Sequence, residues 1–269
     1  RCTQNSSMGE EWRRGWHPER IAPKPGDAPD AKVLVVGAGP AGLEAALWLG
    51  RRGYEVVLAE ASRTLGGRVV AEAGLPGLAE WGRVRDHRVL QLEKLDNVLV
   101  TLESPMTAEE IASYDFAHVA VATGATWRAD GVGRFHGAGV FSDALSPDDL
   151  LAGRRPTGNR VLIYDDELFY IGGVLGELLA SEGFQVTIVT PESKVSAWTV
   201  NTMEQHKIHR RLISVGVAII TDTTVLGHEG DTARLACTYT GREHTLACDS
   251  VVSVTFREPN APLVGQLVA

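Results

Sequence analysis

Ala31-Lys32-Val33-Leu34-Val35-Val36-Gly37-Ala38-Gly39-Pro40-Ala41-Gly42-Leu43-Glu44-Ala45-Ala46 is the stretch whose reading decides the fold. The apolar run Ala31–Val36 reads as a buried strand, and Pro40–Arg52 as an amphipathic helix stopped by Gly53. Between them Gly37, Gly39 and Gly42 fall in a G-x-G-x-x-G register. The first glycine permits a tight turn, the second lets a pyrophosphate approach the backbone, and the third lets the helix pack on the strand. The helix N-terminus then offers unpaired amides and the positive end of a dipole to the anion. Val56–Glu60 is the next strand, and Glu60 closes it about 20 residues beyond the turn. A carboxylate there accepts ribose hydroxyl protons and disfavours a 2′-phosphate. The competing reading is a glycine turn needed only for packing. The preceding strand, the following helix and the acid beyond them favour an adenine dinucleotide or a part of one.

Outward from this βαβ unit, Leu78–Leu95 reads as a helix, Asn97–Glu103 as a strand, Met106–Ser113 as a helix opened by Thr107 with Glu109 and Glu110, and His118–Thr123 as an apolar strand. Residues 126–159 loosen into Gly, Pro and Asp. A second βαβ unit follows, with strand Arg160–Tyr164, helix Gly172–Gly183 and strand Gln185–Thr190. A helix over Thr199–Val215 and strands at Val217–Thr221, Ala233–Tyr239 and Ser250–Thr255 complete the chain, with no closing helix expected. The expected class is α/β: two Rossmann-like domains of the FAD/NAD(P)-binding type, the second inserted into or following the first. The expected divisions are an N-terminal arm at 1–30, an adenine-nucleotide domain at 31–150 and a degenerate NAD(P)-type domain at 151–269.

The 269 residues suffice for two such domains. Lys and Arg number 26 against 34 Asp and Glu, a formal net charge of -8, which argues against a nucleic-acid or membrane-surface partner. No apolar run approaches the ~20 residues of a membrane span, and the start does not read as a signal peptide. Three cysteines, Cys2, Cys237 and Cys248, are too scattered for a disulfide framework, so the expected compartment is the cytoplasm. Cys237 and Cys248 read as buried strand residues. His206 and His209 can share a helix face, yet no ligating neighbours accompany them, and a solvated helix is the preferred reading. The chain starts at Arg1 and stops soon after a strand-like segment, so both ends read as cuts through a longer protein.

The second half departs from the first. Where a nicotinamide-binding domain would repeat the glycine turn stands Tyr164-Asp165-Asp166-Glu167-Leu168-Phe169-Tyr170-Ile171-Gly172-Gly173. The expectation is that three carboxylates there oppose a pyrophosphate, each by about 1 kcal/mol in a well-screened setting. This half then keeps the Rossmann shape and no longer binds NAD(P)H. The alternative is a solvated acidic loop with Gly172 or Gly173 serving the phosphate.

Leu65-Gly66-Gly67-Arg68 after the ribose carboxylate, and Ala122-Thr123-Gly124-Ala125 at a strand end, resemble segments of flavoproteins with two dinucleotide domains. Cys2-Thr3-Gln4-Asn5, Trp12-Arg13-Arg14-Gly15-Trp16-His17-Pro18, Pro76-Gly77-Leu78, Glu80-Trp81 and Val195-Ser196-Ala197-Trp198-Thr199 add to the likeness. Together they resemble the C-terminal nucleotide-binding region of the trimethylamine dehydrogenase, histamine dehydrogenase and 2,4-dienoyl-CoA reductase family of iron–sulfur flavoproteins. The acidic second half is similar to the amine-dehydrogenase branch.

That resemblance implies an oxidoreductase built of an FMN-bearing barrel, a [4Fe–4S] cluster and this region, passing electrons to an external acceptor flavoprotein and working as a homodimer. It implies ADP or FAD at the first domain, held by Gly37, Ala38, Gly39, Pro40, Ala41, Gly42, Glu60, Ala61, Gly67, Arg68, Thr123 and Gly124. Cys2 matches the last cluster ligand, and one thiolate cannot hold a cluster that takes four. No catalytic residue is expected in this chain, and the substrate is beyond its reach. Two departures weigh against a full FAD. Thr255-Phe256-Arg257-Glu258-Pro259-Asn260 puts Phe256 where the family has a glycine, and the family's Gly-Asp segment is expected after residue 269. The competing functions are a working FAD/NAD(P)H reductase module and a non-catalytic nucleotide-binding scaffold.

Overall fold

The computed structural model describes residues 8–9, 21–26, 31–114 and 116–268. In chain order the first elements are β1 (Lys32–Val36), α1 (Pro40–Arg51), β2 (Glu55–Ala59), α2 (Arg68–Glu72), α3 (Gly82–Leu92), β3 (Val98–Thr101), α4 (Ala108–Ser113) and β4 (His118–Val121). Next come β5 (Ala125–Trp127), α5 (Pro147–Leu151), β6 (Arg160–Asp165), α6 (Ile171–Ser181), β7 (Gln185–Val189), α7 (Gln205–Ser214) and β8 (Ala218–Ile220). The remainder is β9 (Thr223–Glu229), β10 (Thr232–Cys237), β11 (Glu243–Ala247), β12 (Ser250–Val254), β13 (Arg257–Pro259) and α8 (Pro262–Val268).

The chain forms two compact units. The first holds a parallel sheet of order β3-β2-β1-β4. Its strands are apolar on both faces because helices cover both. Val35 of β1 packs with Leu43, Ala46 and Leu47 of α1 and Leu92 of α3. Leu34 and Val36, pointing the other way, join Ile111 of α4 and Leu263 and Leu267 of α8. α4 starts with the expected cap: Thr107 Oγ1 accepts the Glu110 amide at 3.2 Å, and the Glu110 carboxylate accepts the Thr107 amide at 2.8 Å.

The second unit repeats the pattern in a parallel sheet of order β12-β6-β7-β8. An antiparallel meander, β11-β10-β9, packs Val225, Ala233 and Leu235 on Leu162 and Tyr164 of β6. β5 and β13 pair as a two-stranded ribbon. Both units are Rossmann-like, and the second is an insertion in the first.

Several expectations shift. The chain passes to the second unit at Gly124–Ala125, not near 150, and returns at Pro259. Residues 126–159 belong with the second sheet because Phe141 joins its core and Leu145 bridges Val252. Leu78–Leu95 is a 3₁₀ turn, Ala79–Trp81, followed by α3. Thr199–Val215 is likewise divided: a 3₁₀ turn at Ala197–Val200 ends before Met203, whose φ of +59° interrupts the helix ahead of α7. A closing helix exists, α8, anchored by Leu263 and Leu267. Cys248 is buried, but Cys237 at the end of β10 is only partly so. No helix among the described residues is long and apolar enough to cross a membrane. Cys2, the Trp12–His17 segment and most of the expected arm lie outside the described residues. Of that arm, Lys24 donates its amide to the Arg52 carbonyl at 2.7 Å.

Candidate nucleotide-binding site

β1 and β4 are neighbours at the point where strand order reverses, so their carboxyl ends open a crevice of the kind that receives nucleotides. The Gly37–Gly39 turn leaves β1, and Ala122–Gly124 leaves β4, on either side of it. Gly37 adopts φ +96°, and a Cβ there would lie 2.5 Å from the Ala122 carbonyl oxygen. A Cβ on Gly42 would lie 1.8 Å from the Gly37 carbonyl oxygen. Both positions admit only glycine, one for conformation and closeness, the other for closeness alone. Gly39 differs: no heavy atom lies within 4 Å of where its Cβ would be. Its φ of -67° is ordinary, so neither packing nor backbone conformation explains a glycine there.

α1 leaves its N-terminus available. Gly39 is the N-cap with no side-chain cap, Pro40 takes the first helical position, and no acid occupies the first turn. Its leading amides lack intrahelical partners and carry the positive end of the helix dipole. These features fit a diphosphate.

Glu60, at the end of β2, is 9% exposed. One carboxylate oxygen accepts the Ala38 amide at 2.8 Å, and the other accepts the Ser62 amide at 2.8 Å. Burial alone would push its pKa up, but the Ser62 and Ala38 amides, with the Ser62 hydroxyl and Ala61 amide, together hold it below the usual carboxylate range. An ionised carboxylate at this point is an acceptor of the kind a ribose hydroxyl needs.

The second glycine pair closes the turn. Gly66 donates its amide to the Ala38 carbonyl at 2.8 Å, and a Cβ on Gly67 would lie 3.0 Å from Gly39 Cα. Arg68 opens α2 and pairs with Glu72 at 3.8 Å. The residues expected at the cradle are therefore drawn together around the turn: Gly37, Ala38, Gly39, Pro40, Ala41 and Gly42 form it, Glu60 and Ala61 follow β2 beside it, and Gly67 backs it. Thr123 follows Ala122 against Gly37, whose Cβ would lie 3.3 Å from the Thr123 amide nitrogen. Sequence reasoning missed Asn260. Its side-chain amide donates to the Thr123 carbonyl at 3.0 Å, its backbone amide donates to the Gly124 carbonyl at 2.9 Å, and its own carbonyl accepts the Thr123 hydroxyl at 2.8 Å. The available signal was a residue able to donate and accept, placed directly after Pro259 at the end of a short strand.

The corresponding turn of the second unit is built differently. Residues 37–39 separate β1 from α1, whereas residues 166–170 separate β6 from α6. Asp165 is fully buried and folds against the helix start: a Cβ on Gly172 would lie 2.7 Å from Asp165 Cγ, and Asp165 Oδ1 accepts the Leu168 amide at 3.0 Å. Burial is the main cause that lifts its pKa to about 7, with Glu167 and Asp166 adding to it. Asp166 turns away and accepts the Phe135 amide at 2.8 Å, and Glu167 accepts the Phe169 amide at 3.0 Å. The acids are drawn into backbone hydrogen bonds, and Asp165 packs against the start of α6. Gly172 and Gly173 are both buried in the first turn of α6. Leu168 is held at φ +71°, and Phe169 stacks on Trp198 at 5.9 Å beneath Arg134.

Among the described residues no group of three or more His, Cys, Asp or Glu is placed to hold a metal ion. His206 is exposed on α7, and His209 is partly so.

Residues 31–268 match the pyridine nucleotide-disulphide oxidoreductase family. The chain is 39% identical to dimethylamine dehydrogenase of Hyphomicrobium sp. (strain x), over 82% of this chain and 31% of that protein. Histamine dehydrogenase from Rhizobium sp. 4-9 superposes with a TM-score of 0.95 at 45% identity, covering 100% of this chain and 42% of the other. The 6-hydroxypseudooxynicotine amine oxidase of Pseudomonas geniculata N1 gives 0.95 at 42%, covering 100% and 40%. The chain therefore spans less than half the length of these relatives. It belongs to the pyridine nucleotide-disulphide oxidoreductase family, alongside the trimethylamine and histamine dehydrogenases that its sequence resembles.

Proposed function

We propose that this chain is the adenine-nucleotide-holding portion of an amine-oxidising flavoprotein, with ADP seated in the first unit and no dinucleotide in the second. The observation that carries this reading is the contrast between two equivalent helix starts. At α1 the turn has an open side at Gly39 and a buried ribose acceptor in Glu60; at α6 a buried aspartate fills the turn.

The relatives' names support amine oxidation as the activity of the whole protein, and the resemblance to iron–sulfur flavoproteins supports an FMN barrel and a [4Fe–4S] cluster outside this chain, with Cys2 as one cluster ligand and the relatives' greater length leaving room for both. Bound there, those groups supply oxidation of the amine and relay of electrons to an acceptor flavoprotein. The residues of this chain bind and orient: Gly37–Gly42 hold the diphosphate, Glu60 accepts the ribose hydroxyls, and Gly67, Arg68, Thr123 and Gly124 border the pocket. None of them acts as a proton donor or nucleophile in the reaction. The full protein works in the cytoplasm as a homodimer.

A second reading is favoured by the intact cradle itself, which also fits the ADP half of FAD and would then serve a reductase module. Mass spectrometry of small molecules released on denaturing the purified protein separates the two. ADP supports the proposal, and FAD supports the alternative. A preparation that holds no adenine compound and takes up none would leave an empty scaffold. Titration with NADH and NADPH tests the second unit, where micromolar binding would refute the filled turn.

A further inference from the structure

We infer that Asn260 is a positioning residue for the nucleotide cradle, and that it couples occupancy of the cradle to the seating of the Asn260–Val268 segment on the first unit. The inference rests on the nucleotide reading above and adds a regulated element to it.

β4 ends at Val121, and the last bond tying this strand end to its neighbour is the Ala122 amide to the Val36 carbonyl at 2.7 Å. Beyond it, Thr123 and Gly124 leave the sheet, Gly124 at φ +77°. Three hydrogen bonds from one residue, 137 positions further on, hold them there. The Thr123 hydroxyl donates to the Asn260 carbonyl, the Asn260 side-chain amide donates to the Thr123 carbonyl, and the Asn260 amide donates to the Gly124 carbonyl. The reciprocal pattern fixes both backbone direction and side-chain rotamer, which a single bond does not.

This matters for the cradle because Gly37 has no slack against Ala122 and Thr123. The positions of a hypothetical Gly37 Cβ, 2.5 Å from one and 3.3 Å from the other, measure how closely the two backbones approach. A shift of the Ala122–Thr123 backbone toward β1 therefore presses on the Gly37 turn, and through it on the amides that lead into α1. On its other side Asn260 leads into α8 two residues later, and Leu263 and Leu267 pack against Leu34, Val36 and Ile111. The bonds of Asn260 with Thr123 and Gly124 lie on the exposed side, where net hydrogen-bond energies are small. A bound nucleotide that braces the Thr123 turn raises the stability of the clamp. Coupling of this kind is reciprocal, so clamp and ligand strengthen each other by the same factor.

The test uses the 269-residue chain, with ADP as the probe. Calorimetry on the wild type and on Asn260→Ala should give an ADP Kd about threefold weaker in the variant, because only the part of the hydrogen bond's worth that differs between free and bound protein enters the affinity. Asn260→Asp, which keeps the shape but loses the side-chain donor, should show a similar loss. Amide hydrogen exchange over Asn260–Val268 in the wild type should slow on adding ADP by more than it does in helices of the first unit remote from the cradle, a local excess that global stabilisation by the ligand does not produce and that needs no variant to fold. Equal ADP affinity in wild type and variants, or exchange over Asn260–Val268 that slows no more than in those remote helices, overturns the inference and leaves the nucleotide reading standing. Failure of the wild type to bind ADP overturns both.

Discussion

Asp165 folds its carboxylate against Gly172, so that a Cβ on that glycine would lie 2.7 Å from Asp165 Cγ. The contact seals the start of α6 and explains why the position takes a glycine. Gly172→Ala should overpack a fully buried site and lower stability by about 1–3 kcal/mol. Urea denaturation monitored by far-UV circular dichroism reads this directly, and an unchanged midpoint would show that Asp165 has room to move.

The same aspartate should make stability depend on pH. Its pKa in the fold lies near 7, raised first by burial and then by Glu167 and Asp166, against an ordinary value of 3.8. Between those two values the folded state binds more protons at this site than the unfolded state. Stability from this group is therefore fully present below about 4 and declines as pH rises toward 7. Asp165→Asn removes the titration, so its advantage over wild type should grow from pH 4 to pH 7 and then level off. Parallel unfolding curves at pH 4.5 and 7.5 check this. A difference between the two proteins that does not change with pH would mean that Asp165 is solvated.

The first βαβ unit was legible almost to the residue: Lys32–Val36, Pro40–Arg51 and Glu55–Ala59 follow from apolar period, glycine register and the terminal acid. The limits of the reading lie where partners are distant in sequence. β9 and β11 flank β10 in an antiparallel meander, yet β11 (Glu243–Ala247) is mostly exposed and carries little apolar signal, so only β10 was anticipated. α8 depends on Leu263 and Leu267 meeting Leu34 and Ile111 from more than a hundred residues away. Asp165 and Asp166 announced an altered turn by type, but a residue letter does not say which way a carboxylate points. Their inward direction follows from the Leu168 and Phe135 amides that receive them, and those pairings belong to the tertiary fold.

Two glycines of one motif should both affect ADP binding but differ in stability. Gly42→Ala places a methyl 1.8 Å from the Gly37 carbonyl oxygen, in rigid backbone, and should destabilise the protein as well as abolish ADP binding. Gly39→Ala meets no protein atom within 4 Å and keeps an allowed backbone, so its thermal midpoint should match wild type. Its ADP affinity should nonetheless fall about tenfold or more, because the methyl stands where the diphosphate approaches. Calorimetry and thermal melts on both variants make the comparison. Native ADP affinity in Gly39→Ala would place the phosphates elsewhere.

Glu60→Gln separates the two tasks of that carboxylate. In the free protein it receives the Ala38 and Ser62 amides, and a glutamine can accept only one of them without turning its NH₂ toward the other. Because the pKa of Glu60 in the fold lies below its ordinary 4.5, its contribution to stability is present above that value and is lost as pH falls through the folded one. The stability gap between wild type and Glu60→Gln should therefore be full at pH 7 and shrink on acidification below pH 4.5. ADP affinity at pH 7 should drop about tenfold, since hydrogen bonds to a charged acceptor are the stronger kind. Adenosine diphosphate carrying a 2′-phosphate should lose less, because the variant no longer repels the extra charge. An equal loss for both nucleotides, measured by competition calorimetry, would remove Glu60 from the ribose and confine it to bracing the glycine turn.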